Sequence, residues 1–441
     1  MIYSEFINQT ISNNNQIQWN YYMDNFDINN ILQSENSRNF IHDYFENGSK
    51  ALPMLINPES ARNYINDYFT AARKEYALSF DFDEQNQLPD DRAIHTVSAF
   101  FLGLLIENCL NGEDTLRIES NNNFPFSYLW FLTCLYHDYG YCVAERDNTP
   151  FSFPNKAPMP CECYTHNLRA HPSEYRALAQ VKKDLGIDLS PFSIFPPMFS
   201  ACYTEPLIER AILRELTLND NKISRHNRLR FNTNSVVSAT RYDSSTIVRY
   251  FNYCINERKR VDHGIIGGFL FYDRMIKNYM LAYVAAMQEC NHTPRLSDFE
   301  YRNRHFCAEQ LIIFSYIADC ILSHNVFKQQ DNKRALYEKY KLKSLCSESF
   351  QKIDCKDNPL LHILAITDSI EPTKIYRNDA TPQTIIDTVS IDYRPGSKEI
   401  KISCLSSDID IRKIFSKAKE LEDWTTVKCS DLSNRTFTLI L

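Results

Sequence analysis

With 441 residues, 44% of them apolar, the chain has enough hydrophobic material for a large folded body, which excludes a wholly disordered protein. A formal net charge of -7 without long blocks of like charge argues against nonspecific nucleic-acid binding, and no run approaches the roughly 18 apolar residues of a membrane helix. The 14 cysteines are scattered, and the opening MIYSEFINQTISNNNQ lacks the basic and apolar stretches of a secretory signal, so we expect reduced thiols and a cytoplasmic protein.

Residues 1–88 read as a helical N-terminal region, with short helices between Asn-rich connectors and helical spacing of apolar residues in SARNYINDYFTAARKEYALSF. A helical core is expected over 89–380. Its first helix is DDRAIHTVSAFFLGLLIENCLNG, opened by Asp90 and Asp91 and closed by Asn111-Gly112. A second, FSYLWFLTCLYHDYG, returns after a polar loop. Proline-rich segments then mark an insertion at about 145–258, a wall or lid for whatever the core binds.

Two long helices follow, DHGIIGGFLFYDRMIKNYMLAYVAAMQ and RNRHFCAEQLIIFSYIADCILSHNVF, and then NPLLHILAITDSIEPTKIY. From about 385 to 441 the pattern changes to a small α+β tail. TVSIDYRPGSKEIKISCL alternates about a Pro-Gly turn and predicts a hairpin, DIRKIFSKAKELEDW a helix, and TTVKCS and RTFTLIL two last strands.

The histidines supply the functional clue. If the first two core helices run antiparallel, His95 near the start of one lies beside His137-Asp138 at the end of the other. The same geometry repeats, because His263 opens a helix and the returning helix ends at His324. His305 lies 19 residues earlier, about 28 Å away along a continuous helix, which favours His324. Asp368 ends an apolar run just before the helix-breaking Glu371-Pro372, where it can point into a shared site.

Collected, the order is His95, His137-Asp138, His263, His324, Asp368. This pattern resembles the HD-domain superfamily of metal-dependent phosphohydrolases. HDYG, DHGIIGG, ADCILSHN and ITDSIEPTK look most like its small bacterial two-metal members that cut dinucleoside tetraphosphates. The resemblance spans roughly 90–377, broken by the insertion. Tyr139 and Tyr141 stand where many relatives carry a lysine, and the glycine-tyrosine-proline signature of the cyclic-dinucleotide branch is missing.

The resemblance implies a mainly α fold with an HD-domain helical bundle as its core, and the residue pattern adds to it the helical N-terminal lead-in and the small C-terminal α+β domain. It also implies that His95, His137, Asp138 and Asp368 hold one divalent ion, with Asp138 bridging to a second held by His263 and His324. Iron, manganese, cobalt, nickel or zinc would suit such donors. Two ions about 3.5–4 Å apart activate a shared water to hydroxide, with His137 and Asp138 at the catalytic centre.

Two divalent ions against two carboxylates leave a positive site, which suits a nucleotide or another phosphorylated small molecule. Lys374 and Arg377, just past the Asp368 motif, are the preferred phosphate contacts, followed by Arg274 and Lys277. Gly264, Gly267 and Gly268 clear side chains beside a ligand, where a helix or a substrate can approach closely. Other readings are a nucleotide-sensing or regulatory module without turnover and an oxygen-activating diiron centre. His42-Asp43 lacks partner ligands, and Cys161, Cys163, His166 and His171 have a spacing unusual for structural zinc.

Overall fold

A computed structural model describes residues 1–12, 90–141, 228–271 and 308–441, except 113, 120–123, 125, 139, 239–240, 243, 259–261, 266, 269–270 and 408. The lead-in beyond residue 12 and most of the insertion, with Cys161, Cys163, His166 and His171, lie outside the described residues. So do His42-Asp43, Arg274, Lys277 and His305. The described parts are mostly helical, with a four-stranded antiparallel sheet near the C-terminus.

The described helices begin with α1 (Tyr3–Ser12), α2 (Asp90–Asn111) and α3 (Phe126–His137). A short hairpin follows, β1 (Arg228–Arg230) with β2 (Val236–Ser238), and then α4 (Ser244–Arg258) and α5 (Ala308–Ser323). After α6 (Arg334–Lys339) come α7 (Pro359–Ile370) and α8 (Pro372–Ile375). None of the described helices is long and apolar enough to cross a membrane.

The helical body forms where α2, α3, α5 and α7 pack on one another. Gly112, with φ +64, ends α2, and its amide donates to the Asn108 carbonyl at 2.8 Å. Trp130 of α3 donates Nε1–H to the Phe100 carbonyl of α2 at 2.8 Å, and its ring occupies the space a side chain on Gly103 would need. Helix α7 is buried almost all round, as expected for an apolar helix at the centre of a body. It packs against α2, α3 and α5 and also reaches the C-terminal unit.

The described end of the predicted insertion belongs to this body. Ile118 bridges to Phe231, whose ring packs edge-on against Tyr316 of α5 at 5.9 Å. Tyr250 of α4 donates its hydroxyl to the Asn325 carbonyl at 2.9 Å. The β1–β2 hairpin was not anticipated, since three-residue strands give too short an alternation to read.

The C-terminal unit comprises α9 (Pro382–Thr388), β3 (Val389–Tyr393), β4 (Glu399–Cys404), α10 (Ile411–Leu421), β5 (Lys428–Cys429) and β6 (Thr436–Ile440). Its strand order is β3-β4-β6-β5, all antiparallel. Ile391, Ile402 and Phe437 align across three strands and are buried, while Glu399 and Lys401 face outward, as period-2 alternation demands. The expected TTVKCS strand is only two residues long. Thr425 and Thr426 instead pair with Ile353, where the Thr426 amide donates to the Ile353 carbonyl at 3.0 Å.

Two contacts not read from the sequence tie the ends together. Ile2 bridges to Ser390 at the β3 edge, and α1 buries Tyr3, Phe6 and Ile7. Helix α10 packs on β5 and β6 and also on α7 and α8, so it lies between the sheet and the helical body.

Candidate metal centre

The elements deliver their polar side chains to one place. His95 lies in the second turn of α2, His137 ends α3, and Asp138 follows in the turn beyond. His324 comes directly after α5, helical residues resume at His263, and Asp368 sits in the last turn of α7. They form two triads that can each hold a metal ion: His95, His137 and Asp368 in one, and Asp138, His263 and His324 in the other.

The triads adjoin. Asp138 Oδ1 lies 3.6 Å from His137 Nε2 and 3.3 Å from His263 Nε2, while its Oδ2 is 3.7 Å from His95 Nε2. The ring centroids of His137 and His324 are 5.6 Å apart, and those of His263 and His324 are 5.4 Å apart. His324 therefore stands beside His263.

The hydrogen bonds orient three of the rings. His137 Nδ1–H donates to the Cys134 carbonyl at 2.6 Å, His324 Nδ1–H to the Ile321 carbonyl, and His95 Nδ1–H to Glu371 Oε2 at 2.9 Å. Each Nε2 is then the atom left to bind a proton or a metal. His95 Nε2 lies 3.1 Å from both His137 Nε2 and Asp368 Oδ1, and the last two are 3.6 Å apart. Electron-rich atoms at such separations repel unless a shared proton or a cation lies among them. Donors around one first-row ion at ~2.1 Å stand about 3.0–3.4 Å from each other, which the two 3.1 Å separations match and the 3.6 Å one slightly exceeds.

The second triad passes a separate test. His324 Nε2 is buried and has no hydrogen-bond partner among the described residues. Burial and the neighbouring His263 and His137 push the His324 pKa down to about 4, which keeps the ring neutral. A neutral imidazole with a buried lone pair is the form that ligates a metal.

Electrostatics favour cations throughout. Burial opposes ionisation of Asp138 and Asp368, yet His137 beside Asp138 and Lys374 beside Asp368 hold both carboxyls well below the usual range. Burial would lower the His95 pKa, but Asp368 and Glu371 override it and raise the value to about 9.

Glu371 is the functional candidate that the sequence reading passed over as a helix breaker. It is fully buried and accepts from His95, Ser98, Thr373 Oγ1 and the amides of Thr373 and Lys374, the last three each at 2.8 Å. It both caps α8 and orients the His95 ring. An acid immediately before a helix-opening Pro372 was the available signal. On the other side of the site, the Asn325 amide lies 3.0 Å from His263 Nδ1, and Tyr141 stacks on the His263 ring at 3.8 Å.

The glycines serve backbone approach. A Cβ on Gly140 would lie 1.9 Å from the His263 carbonyl oxygen, and one on Gly264 would lie 2.9 Å from the His324 ring. Gly268 meets the Ala318 carbonyl of α5 at 2.6 Å in the same sense. Absent side chains let the His137-Asp138 turn and α5 close on the His263 turn.

One side of the cluster opens. Asp368 is 20% exposed and lines a cleft of about 1230 Å³ with Lys374, Arg377 and Phe327. Lys374 pairs through Nζ with Asp368 Oδ1 and donates to the Asp368 carbonyl at 3.2 Å. Of the four anticipated phosphate contacts, Lys374 and Arg377 thus border the cleft beside the first triad, and Arg274 and Lys277 lie outside the described residues. No family model, curated protein or solved structure matches the chain.

Proposed function

We propose that the chain is a metal-dependent phosphohydrolase of the HD-domain type, cleaving a phosphoester or phosphoanhydride bond in a nucleotide-like substrate. The observation that carries this reading is the pair of adjoining His/Asp triads with a cleft at the exposed edge of Asp368. The order of these residues along the chain, which resembles that superfamily, supports the same reading.

In this reading His95, His137 and Asp368 would hold one divalent ion, and Asp138, which stands between the triads, would hold the other with His263 and His324. Such ions, when bound, supply Lewis acidity and a water whose pKa falls toward ~7. The protein's own groups do the positioning. Glu371 and the Cys134 and Ile321 carbonyls fix the rings, so that Nε2 faces the site. Lys374 and Arg377 hold the substrate phosphate at the cleft edge, where Lys374 exchanges its Asp368 partner for a phosphate oxygen.

Phosphate release from a panel of nucleotides, run with manganese or iron under anaerobic conditions, tests the proposal. Release without oxygen is the expected result. No release across the panel, with oxygen uptake in its place, would assign an oxygen-activating diiron centre, and nucleotide binding without either would assign a sensing module.

A further inference from the structure

The cleft has a second wall, and it comes from the C-terminal unit. Lys413, Ser416, Lys417 and Glu420 line it from one face of α10, and Trp424 follows beyond the helix end. The spacing i, i+3, i+4, i+7 puts these four on a single helical stripe. The opposite stripe of α10, with Ile414, Ala418 and Leu421, is buried. The helix therefore turns a cationic, partly open face toward the same cleft that Asp368 and Lys374 enter.

Charge and shape select the ligand class. Among the described lining residues six are cationic and four are anionic, and Asp368 is one of the four. Lys413 pairs with Asp379 at 2.6 Å and Lys417 with Glu420 at 2.8 Å, but Lys413, Lys417 and Glu420 are about half exposed and Asp379 is 29% exposed. Exposed pairs of this kind are weak, so a polyanion can displace the carboxylates. The cleft also has an aromatic corner: Phe327, three residues past His324, meets Trp424 edge-to-face at 5.6 Å and 88°. A single phosphate needs only the Lys374 end, whereas a volume of about 1230 Å³ with a basic stripe and an aromatic corner suits a longer ligand.

We infer that α10 is the distal wall of the substrate site, where Lys413 and Lys417 hold the outer phosphates of a nucleoside polyphosphate and Trp424 stacks on its base. This inference rests on the phosphohydrolase reading and adds to its site a helix outside the stretch that resembles the superfamily. It also gives the C-terminal unit a place in substrate recognition.

The test is equilibrium binding to the metal-loaded full chain with three probes: orthophosphate, tripolyphosphate and a non-hydrolysable ATP analogue. Lys413→Ala with Lys417→Ala should weaken tripolyphosphate and the analogue about tenfold while orthophosphate binding and metal content stay as in wild type. Lys413→Arg with Lys417→Arg should restore binding. Trp424→Ala should weaken only the analogue, about fivefold or more, and Trp424→Phe should retain most of it.

Variants that bind all three probes as wild type does would overturn the assignment of the wall. If such a chain still hydrolyses phosphoesters, the phosphohydrolase reading stands without it. Selective loss of the longer probes in a chain that turns nothing over would support the wall and remove the hydrolase reading.

Discussion

The two halves of the described molecule are stabilised in opposite ways. The C-terminal sheet is built from neighbours in sequence, with Val389, Ile391, Ile400, Ile402, Phe437 and Leu439 stacked in register and buried, and its charges outside. The body joins helices drawn from distant parts of the chain, and at its centre it buries His95, His137, Asp138, His324 and Glu371. Apolar burial stabilises the first directly. The second carries the desolvation of ionisable groups, which is offset only where each group finds a partner or a cation. A protein keeps such a cluster for chemistry, whereas the sheet serves shape.

The contrast breaks most sharply at the cluster. His137→Ala or Asp138→Ala should remove bound metal and lower turnover by about three orders of magnitude or more, with the sheet intact. Elemental analysis beside phosphate release checks this. Turnover that survives either change would dissolve the distinction between the two regions.

Ile402→Ala is the counterpart in the sheet. Ile402 is fully buried against Ile391 and Phe437, so its truncation should cost about 2–5 kcal/mol in denaturant unfolding. Metal stoichiometry at saturation should not change. Loss of metal from this variant would mean that the sheet and the centre form one cooperative unit.

Glu371→Gln sharpens the account of the cluster itself. The amide keeps the shape and an acceptor but removes the charge that orients His95. Competition with a chelator should report metal affinity about 10–100-fold weaker, and the melting temperature should fall too, because both carboxylate oxygens accept from buried donors that the amide nitrogen cannot serve. An unchanged affinity would reduce Glu371 to a helix cap.

The smallest effect concerns pH. Glu107 of α2 is 5% exposed, and burial raises its pKa to about 7 although the Leu116 amide and Asn111 donate to it. Since the folded-state pKa lies above that of the open chain, ionising Glu107 costs stability as the pH climbs from about 4.5 toward 7. Glu107→Gln should flatten that part of the decline in melting temperature between pH 5 and pH 8. A slope equal to wild type would contradict the assigned burial effect.

Legibility in the sequence was best where a polar motif marks the end of an apolar run, as at His95, His137-Asp138 and Asp368. The α2–α3 pairing was readable because each apolar helix has one end marked by a polar motif, and antiparallel return puts those ends together; the same marks at His263 and His324 placed those two rings side by side. Alternation about Pro395-Gly396 similarly marked β3 and β4. What escaped depended on partners far along the chain: Glu371 gains its meaning from His95 and Ser98, α1 from the edge of β3, and β5 is cut short by Ile353. The cleft wall on α10 was invisible for the same reason. Its amphipathic pattern announces a helix with a polar face, and nothing local says that this face lines a cleft with Asp368 and Lys374.

Anomalous diffraction from crystals of the purified, metal-loaded protein tests the central claim most directly. The account predicts two peaks about 3.5–4 Å apart, one against His95, His137 and Asp368 and one against His263 and His324, with Asp138 between them. Crystals grown with saturating metal that show no ion among these six side chains, or ions bound only elsewhere, would contradict it.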